Sequence, residues 1–174
     1  MLPSRGPRGH RTAAALLVLV VGALALTGCG KDEFADKTAR VTVSGKTTTY
    51  QVDSCGLDGR TAFVVGRSDS GSILQAVVGV KADKATGVPS STGLSVIDDG
   101  LELAGFGSES WQRRGMSGAA PGTVTSARIR GSRIQASGRL VGVDADGKPR
   151  AGASGVDDTG FPFTLDARCD TADG

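Results

Sequence analysis

Histidine is almost missing from this chain, aromatic residues make up only 4% of it, and three cysteines are spread over 174 residues. The single histidine, His10, lies in a basic leader with Arg5, Arg8 and Arg11. With no histidine after it, Ser-His-Asp and Cys-His arrangements are excluded from the body of the chain. The usual zinc sites lose their commonest ligand for the same reason. The hydrolase elbow G-x-S-x-G, the S-x-x-K signature, the P-loop and the dinucleotide-binding glycine pattern are all lacking. An excess of charge of one sign is missing too. The leader holds three arginines and no acid, which leaves 17 basic against 18 acidic residues beyond Gly28, a net of −1. A nucleic-acid partner needs a basic footprint that this composition does not supply. The reading is therefore non-enzymatic, with no cofactor and no metal.

One apolar run begins at Thr12, and it ends abruptly at Leu26-Thr27-Gly28-Cys29 before the polar Gly30-Lys31-Asp32-Glu33. A positive leader, a short apolar segment and small residues at its end are the layout of a secretory signal peptide. The run is too short and too sharply ended for a membrane-spanning helix. Leu-Thr-Gly-Cys also matches the bacterial lipobox, in which the thiol is lipidated and the leader removed before the cysteine. The expected organisation is a signal peptide over 1–28, lipidated Cys29 with a short charged spacer to residue 38, and one domain over 39–174. Each buried lipid methylene contributes roughly 0.8 kcal/mol, so acylation at Cys29 would hold the domain on the extracytoplasmic face of the cell membrane. The extended spacer reaches about 30 Å, at ~3.3–3.6 Å per residue.

The remaining cysteines, Cys55 and Cys169, read as one disulfide in an exported chain. By chain entropy, closing a loop of this size stabilises by roughly 4–5 kcal/mol, as an upper value.

What is plentiful is glycine, with 27 residues, set among short runs of Val, Ile and Leu. That pattern predicts an all-β fold: a single antiparallel domain, sandwich-like or a partly open barrel. Val41 and Val43 alternate into a Ser44-Gly45 turn, followed by Thr48, Tyr50 and Val52, which reads as a hairpin with Cys55 just past its end. Residues 62–67 form a short strand. Residues 73–81 fit a strand or a short helix, with the adjacent valines favouring strand. Residues 82–92, containing Pro89, read as a loop. Asp99-Gly100 sits between two apolar runs as a hairpin turn, and residues 107–122 are a long loop carrying Trp111, Arg113, Arg114 and Met116.

The strongest structural pattern is Thr123–Val143, two alternating strands around Gly131-Ser132, which suits a type II′ turn. Its register pairs Arg130 with Arg133, Arg128 with Gln135, Ile129 with Ile134, Ala127 with Ala136, and Thr123 with Leu140. Residues 144–160 are again loop, and Phe161–Cys169 is the closing strand.

In order and spacing these features resemble the mycobacterial 19 kDa lipoprotein antigen family. The matching features are the lipobox cysteine, the opening Val41-x-Val43-x-Gly45-Lys46, and the early Cys55. They continue with the central LQAVVGV, the Gly-Ser hairpin leading into GRLVGVD, and the final FxFxLxxRC ending at Cys169. The resemblance spans most of residues 39–170. It implies an actinobacterial envelope lipoprotein, surface-exposed and antigen-like, with no catalytic residues. The short charged spacer departs from the long Ser/Thr/Pro-rich one typical of that family, and the Trp111-Arg113-Arg114 loop is a further departure.

Candidate contact residues follow from chemistry. Trp111, Arg113 and Arg114 combine residue types enriched at binding hot spots, and a Trp111 that caps one end of the core fits the sequence equally. Arg128, Arg130 and Arg133, with Arg139, form a basic stripe suited to anionic headgroups or wall-polymer phosphates, or to a solvated face. Asp144, Asp146, Asp157 and Asp158 read as turn aspartates rather than calcium ligands. The leading expectation is a binding or interaction module, with the membrane held through Cys29 and an envelope lipid, glycolipid or protein as partner. The alternative is a lipid or glycolipid carrier with an inter-sheet cavity bounded by small residues such as Ala127, Ala136 and Gly138. A structural role in the envelope is the third.

Overall fold

The structure, a computed structural model, describes residues 37–58, 60–81, 86–150 and 160–170. The lipobox and Cys29, most of the spacer, and Asp157 and Asp158 lie outside the described residues. Among the described residues, nine strands and one short helix follow in order: β1 (Thr38–Val43), β2 (Lys46–Asp58), β3 (Thr61–Arg67), β4 (Ile73–Val80), β5 (Gly87–Asp98), β6 (Leu101–Phe106), α1 (Ser108–Arg113), β7 (Thr123–Arg130), β8 (Arg133–Val143) and β9 (Phe161–Arg168). The protein is all-β, as its alternation predicts.

The sheet is antiparallel and runs β6-β5-β4-β3-β2-β1-β9-β8-β7, with β6 also paired to β8. That extra pairing closes eight strands into a barrel, which removes the free edges of an open sheet. The strand β8 makes closure possible by pairing twice along one edge. Its first part, Arg133–Arg139, holds β7, and Val141–Val143 at its end holds β6. Residues alternate in and out along each strand. The inward set, including Val41, Tyr50, Val64, Leu74, Val78, Leu94, Leu140 and Leu165, packs into one buried cluster.

The turns follow local chemistry. Ser44-Gly45 and Asp99-Gly100 both take positive φ at both positions, as a type I′ hairpin turn requires. At Gly131-Ser132 only Gly131 is positive, at 54°, in agreement with the type II′ expectation.

Four segments depart from the sequence reading. The strand β2 runs on through Cys55 to Asp58, accommodated by a register shift between Val52 and Ser54. Pro89 lies inside β5, not in a loop, and is tolerated because the β4–β5 ladder is interrupted between Gly79↔Val88 and Val77↔Gly93. The presumed loop 107–122 contains α1. Thr123 pairs with Arg139 instead of Leu140, because the β7–β8 register shifts between Val124 and Ser126. That shift also explains Gly138. A Cβ there would fall 1.9 Å from the Thr123 carbonyl oxygen, so its missing side chain admits neighbouring backbone and does not border a cavity.

Cys55 and Cys169 are disulfide-bonded across a sequence separation of 114, with Cα atoms 5.4 Å apart. The bond ties β2 to the end of β9, strands separated in the sheet by β1.

Candidate functional site

The helix α1 is a second layer on the outside of the barrel, and β5 builds its seat. Where the β4–β5 ladder is interrupted, Pro89–Thr92 bulges away from the regular register. The buried Thr92 stitches the bulge by donating its hydroxyl to the Val88 carbonyl (2.8 Å) and accepting from the Gly79 N–H. The freed bulge groups then grip the helix. The Gly107 N–H donates to the Thr92 carbonyl (2.7 Å), and the Ser90 and Ser91 hydroxyls both donate to the Glu109 carboxylate. Arg113 Nη2 donates to the Ser91 carbonyl at 3.1 Å. Gly107 is required at the helix start, since a Cβ would lie 2.0 Å from the Pro89 carbonyl oxygen.

Beneath the helix lies a small apolar cluster of Ala104, Phe106, Trp111 and Val143, distinct from the barrel interior and bordered by Met116 and Ala120. The Phe106 and Trp111 rings are 5.5 Å apart and tilted by 34°. The guanidinium of Arg114 lies 4.7 Å above the Phe106 ring, a cation–π contact. Trp111 is therefore a buried keystone, 4% exposed, and not a protruding anchor. Its indole N–H is buried without a hydrogen-bond partner among the described residues.

Beside α1 the outer wall carries a groove of about 300 Å³. Its floor follows from register. Val77, Gly93 and Phe106 stand opposite one another on successive ladders from β4 to β6. Gly93 lets its neighbours close in: a Cβ there would approach the Phe106 ring to 2.7 Å and the Ser110 hydroxyl to 2.8 Å. Val77, 43% exposed, supplies an apolar side. The rim adds Gln75 and Ser95 from one side, and Ser110, Arg113 and Arg114 from the other. A larger cleft of about 670 Å³ continues past Arg113, with Arg60, Lys81 and Glu109 in its lining. The Glu109 carboxyl is held below its ordinary value of 4.5 by the Ser91 and Ser90 hydroxyls, with Arg113 adding to the effect.

The residues singled out from the sequence therefore divide into two places. Trp111, Arg113 and Arg114 come together at α1. Arg128, Arg130 and Arg133 lie on the β7–β8 hairpin, and none of them lines either space beside the helix. Arg128 and Arg130 are exposed. Arg133 is drawn to Asp166, with Nε donating to Oδ1 at 2.8 Å, and this pairing raises its pKa above the usual guanidinium value. Arg139 Nη2 donates to the Gly160 carbonyl at 2.8 Å. The hairpin arginines thus stitch strands as well as facing solvent. Asp144 acts as a turn residue, its Oδ1 accepting from the N–H groups of Asp146 and Lys148.

The groove residues outside α1 were not singled out from the sequence, because a glycine between apolar neighbours on separate strands leaves no local pattern. Comparison with protein-family models and with curated protein sequences gave no match.

Proposed function

We propose that this chain is a lipid-anchored lipoprotein of the cell envelope, of the same kind as the mycobacterial 19 kDa antigen family, whose barrel is a non-enzymatic binding module. Three features support the anchor and compartment. They are the lipobox ending at Cys29, the abrupt end of the apolar run, and a disulfide that requires an oxidising environment.

The observation that carries the binding half is the groove beside α1. The sheet interrupts its own ladder to hold a short helix there, and the groove offers guanidinium, hydroxyl and amide donors around an apolar floor. Such a lining orients and holds a ligand, and it contains no paired acid and base for chemistry among the described residues. The interior favours the carrier alternative less. Tyr50, Leu74, Leu94, Leu140 and Leu165 are all under 2% exposed and point into one shared cluster.

Hydrogen–deuterium exchange tests this reading. With an extract of the host envelope added, deuterium uptake falls at residues 108–114 and in the centres of β4 and β5. Unchanged uptake there, or protection confined to β1, β2 and β9, contradicts it.

A further inference from the structure

We infer that the groove beside α1 is a binding site for a phosphate ester carrying a compact apolar substituent, an inference that rests on reading the barrel as a binding module. The floor and the rim argue for different halves of that ligand. The Phe106 ring packs over the bare backbone of Gly93, and beside it the groove leaves one flank of Val77 uncovered. Filling the groove there with an apolar group covers that flank, which is favourable in proportion to the area removed from water.

The rim argues for an anion. Among the described residues, the groove is lined by two guanidinium groups and no carboxylate. Both come from the C-terminal end of α1, held there by different contacts: Arg113 through the Ser91 carbonyl, and Arg114 over the Phe106 ring. Arg60 and Lys81 in the adjoining cleft add positive charge to the same face. The acid of that cleft, Glu109, already accepts from Ser90 and Ser91.

Donor geometry separates phosphate from carboxylate. A planar carboxylate is satisfied by one guanidinium fork. Here Ser110 and Arg113 of α1 and Arg114 at its end line the groove together with Gln75 and Ser95 of the strands. Donor-bearing residues on both sides of the groove suit a tetrahedral group with several acceptor oxygens. At about 300 Å³ the groove is at the small end of ligand sites, so the apolar part is compact.

The sole tryptophan supplies the reporter. Trp111 packs on Phe106 under the site, and its indole N–H gives one resonance in a ¹H–¹⁵N spectrum. The full-length protein in micelles of a neutral, sugar-headed detergent is titrated with phenyl phosphate. Inorganic phosphate, phenol and benzoate serve as probes lacking the ring, the anion and the tetrahedral oxygens. Phenyl phosphate shifts the resonance saturably, and each of the other three binds at least roughly tenfold more weakly. Arg113→Gln and Arg114→Gln each weaken phenyl phosphate by roughly tenfold, the worth of a charge-assisted hydrogen bond. Val77→Ser weakens phenyl phosphate and leaves inorganic phosphate unchanged. Gln112→Ala, on the exposed side of α1, changes neither.

A non-saturating response, equal affinity for phenol or benzoate, or indifference to both arginine substitutions overturns the proposal. Protection of the groove by envelope extract without phenyl phosphate binding overturns the phosphate assignment and leaves the binding-module reading standing. Absence of both removes both.

Discussion

Gly93 of β5 stands directly opposite Phe106 of β6, and the hydrogen in place of its side chain lets the Phe106 ring and Ser110 of α1 pack against its backbone. A Cβ at this position would sit 2.7 Å from the ring and 2.8 Å from the Ser110 hydroxyl. Gly93→Ala therefore displaces the Phe106 ring and pushes α1 outward. We expect a loss of about 1–3 kcal/mol, typical of overpacking. Urea denaturation followed by Trp111 fluorescence checks it, and unchanged stability would mean that the helix is not seated against this strand.

The seat of α1 is also sensitive to acid. The serine hydroxyls favour the charged form of Glu109, so its folded-state pKa is depressed. A depressed carboxyl contributes stability that is present above its unfolded pKa and lost as pH falls through the folded one. The helix should loosen below the ordinary carboxylate range while the barrel persists. Trp111 emission against pH, compared with far-ultraviolet dichroism, separates the two events. In Glu109→Gln the emission change in that window should vanish.

The Cys55–Cys169 bond encloses a separation of 114 residues. Replacing both cysteines by alanine is expected to cost up to about 4–5 kcal/mol in the chain-entropy estimate. Equilibrium denaturation of the double variant checks the magnitude. Alkylation of the wild type under denaturing, non-reducing conditions should leave both residues unlabelled.

The tether predicts a simple change of compartment. Cys29→Ala removes the acceptor thiol, and the processed protein should move from the membrane fraction to the soluble or secreted fraction. Persistence of the processed variant in membranes after a high-salt wash would contradict lipid anchoring.

Alternation and turn chemistry made most of the barrel legible in the sequence. The Asp99-Gly100 and Gly131-Ser132 turns, and the register from Arg130↔Arg133 to Ser126↔Ser137, follow from residues adjacent in the chain. What was not legible depends on pairings distant in sequence. Closure needs β8 to hold both β6 and β7, a relationship that no local pattern encodes. The irregularity at Pro89–Thr92 was visible as a break, but its use as a platform for α1 was not. The helix is only six residues long, and its hold comes from Ser90, Ser91 and Thr92 on another element. Trp111, Arg113 and Arg114 were legible as candidates by residue type. Val77, Gly93 and Phe106 become one site only when three strands are laid side by side.

On this reading ligand binds on the outer wall and not inside the barrel. Native mass spectrometry of the protein extracted from its own host tests it most directly, comparing wild type with the Arg113→Gln/Arg114→Gln double variant. The wild type should carry a bound non-protein mass that is lost from the double variant. The same mass retained by the double variant would contradict the reading and place the ligand in the interior.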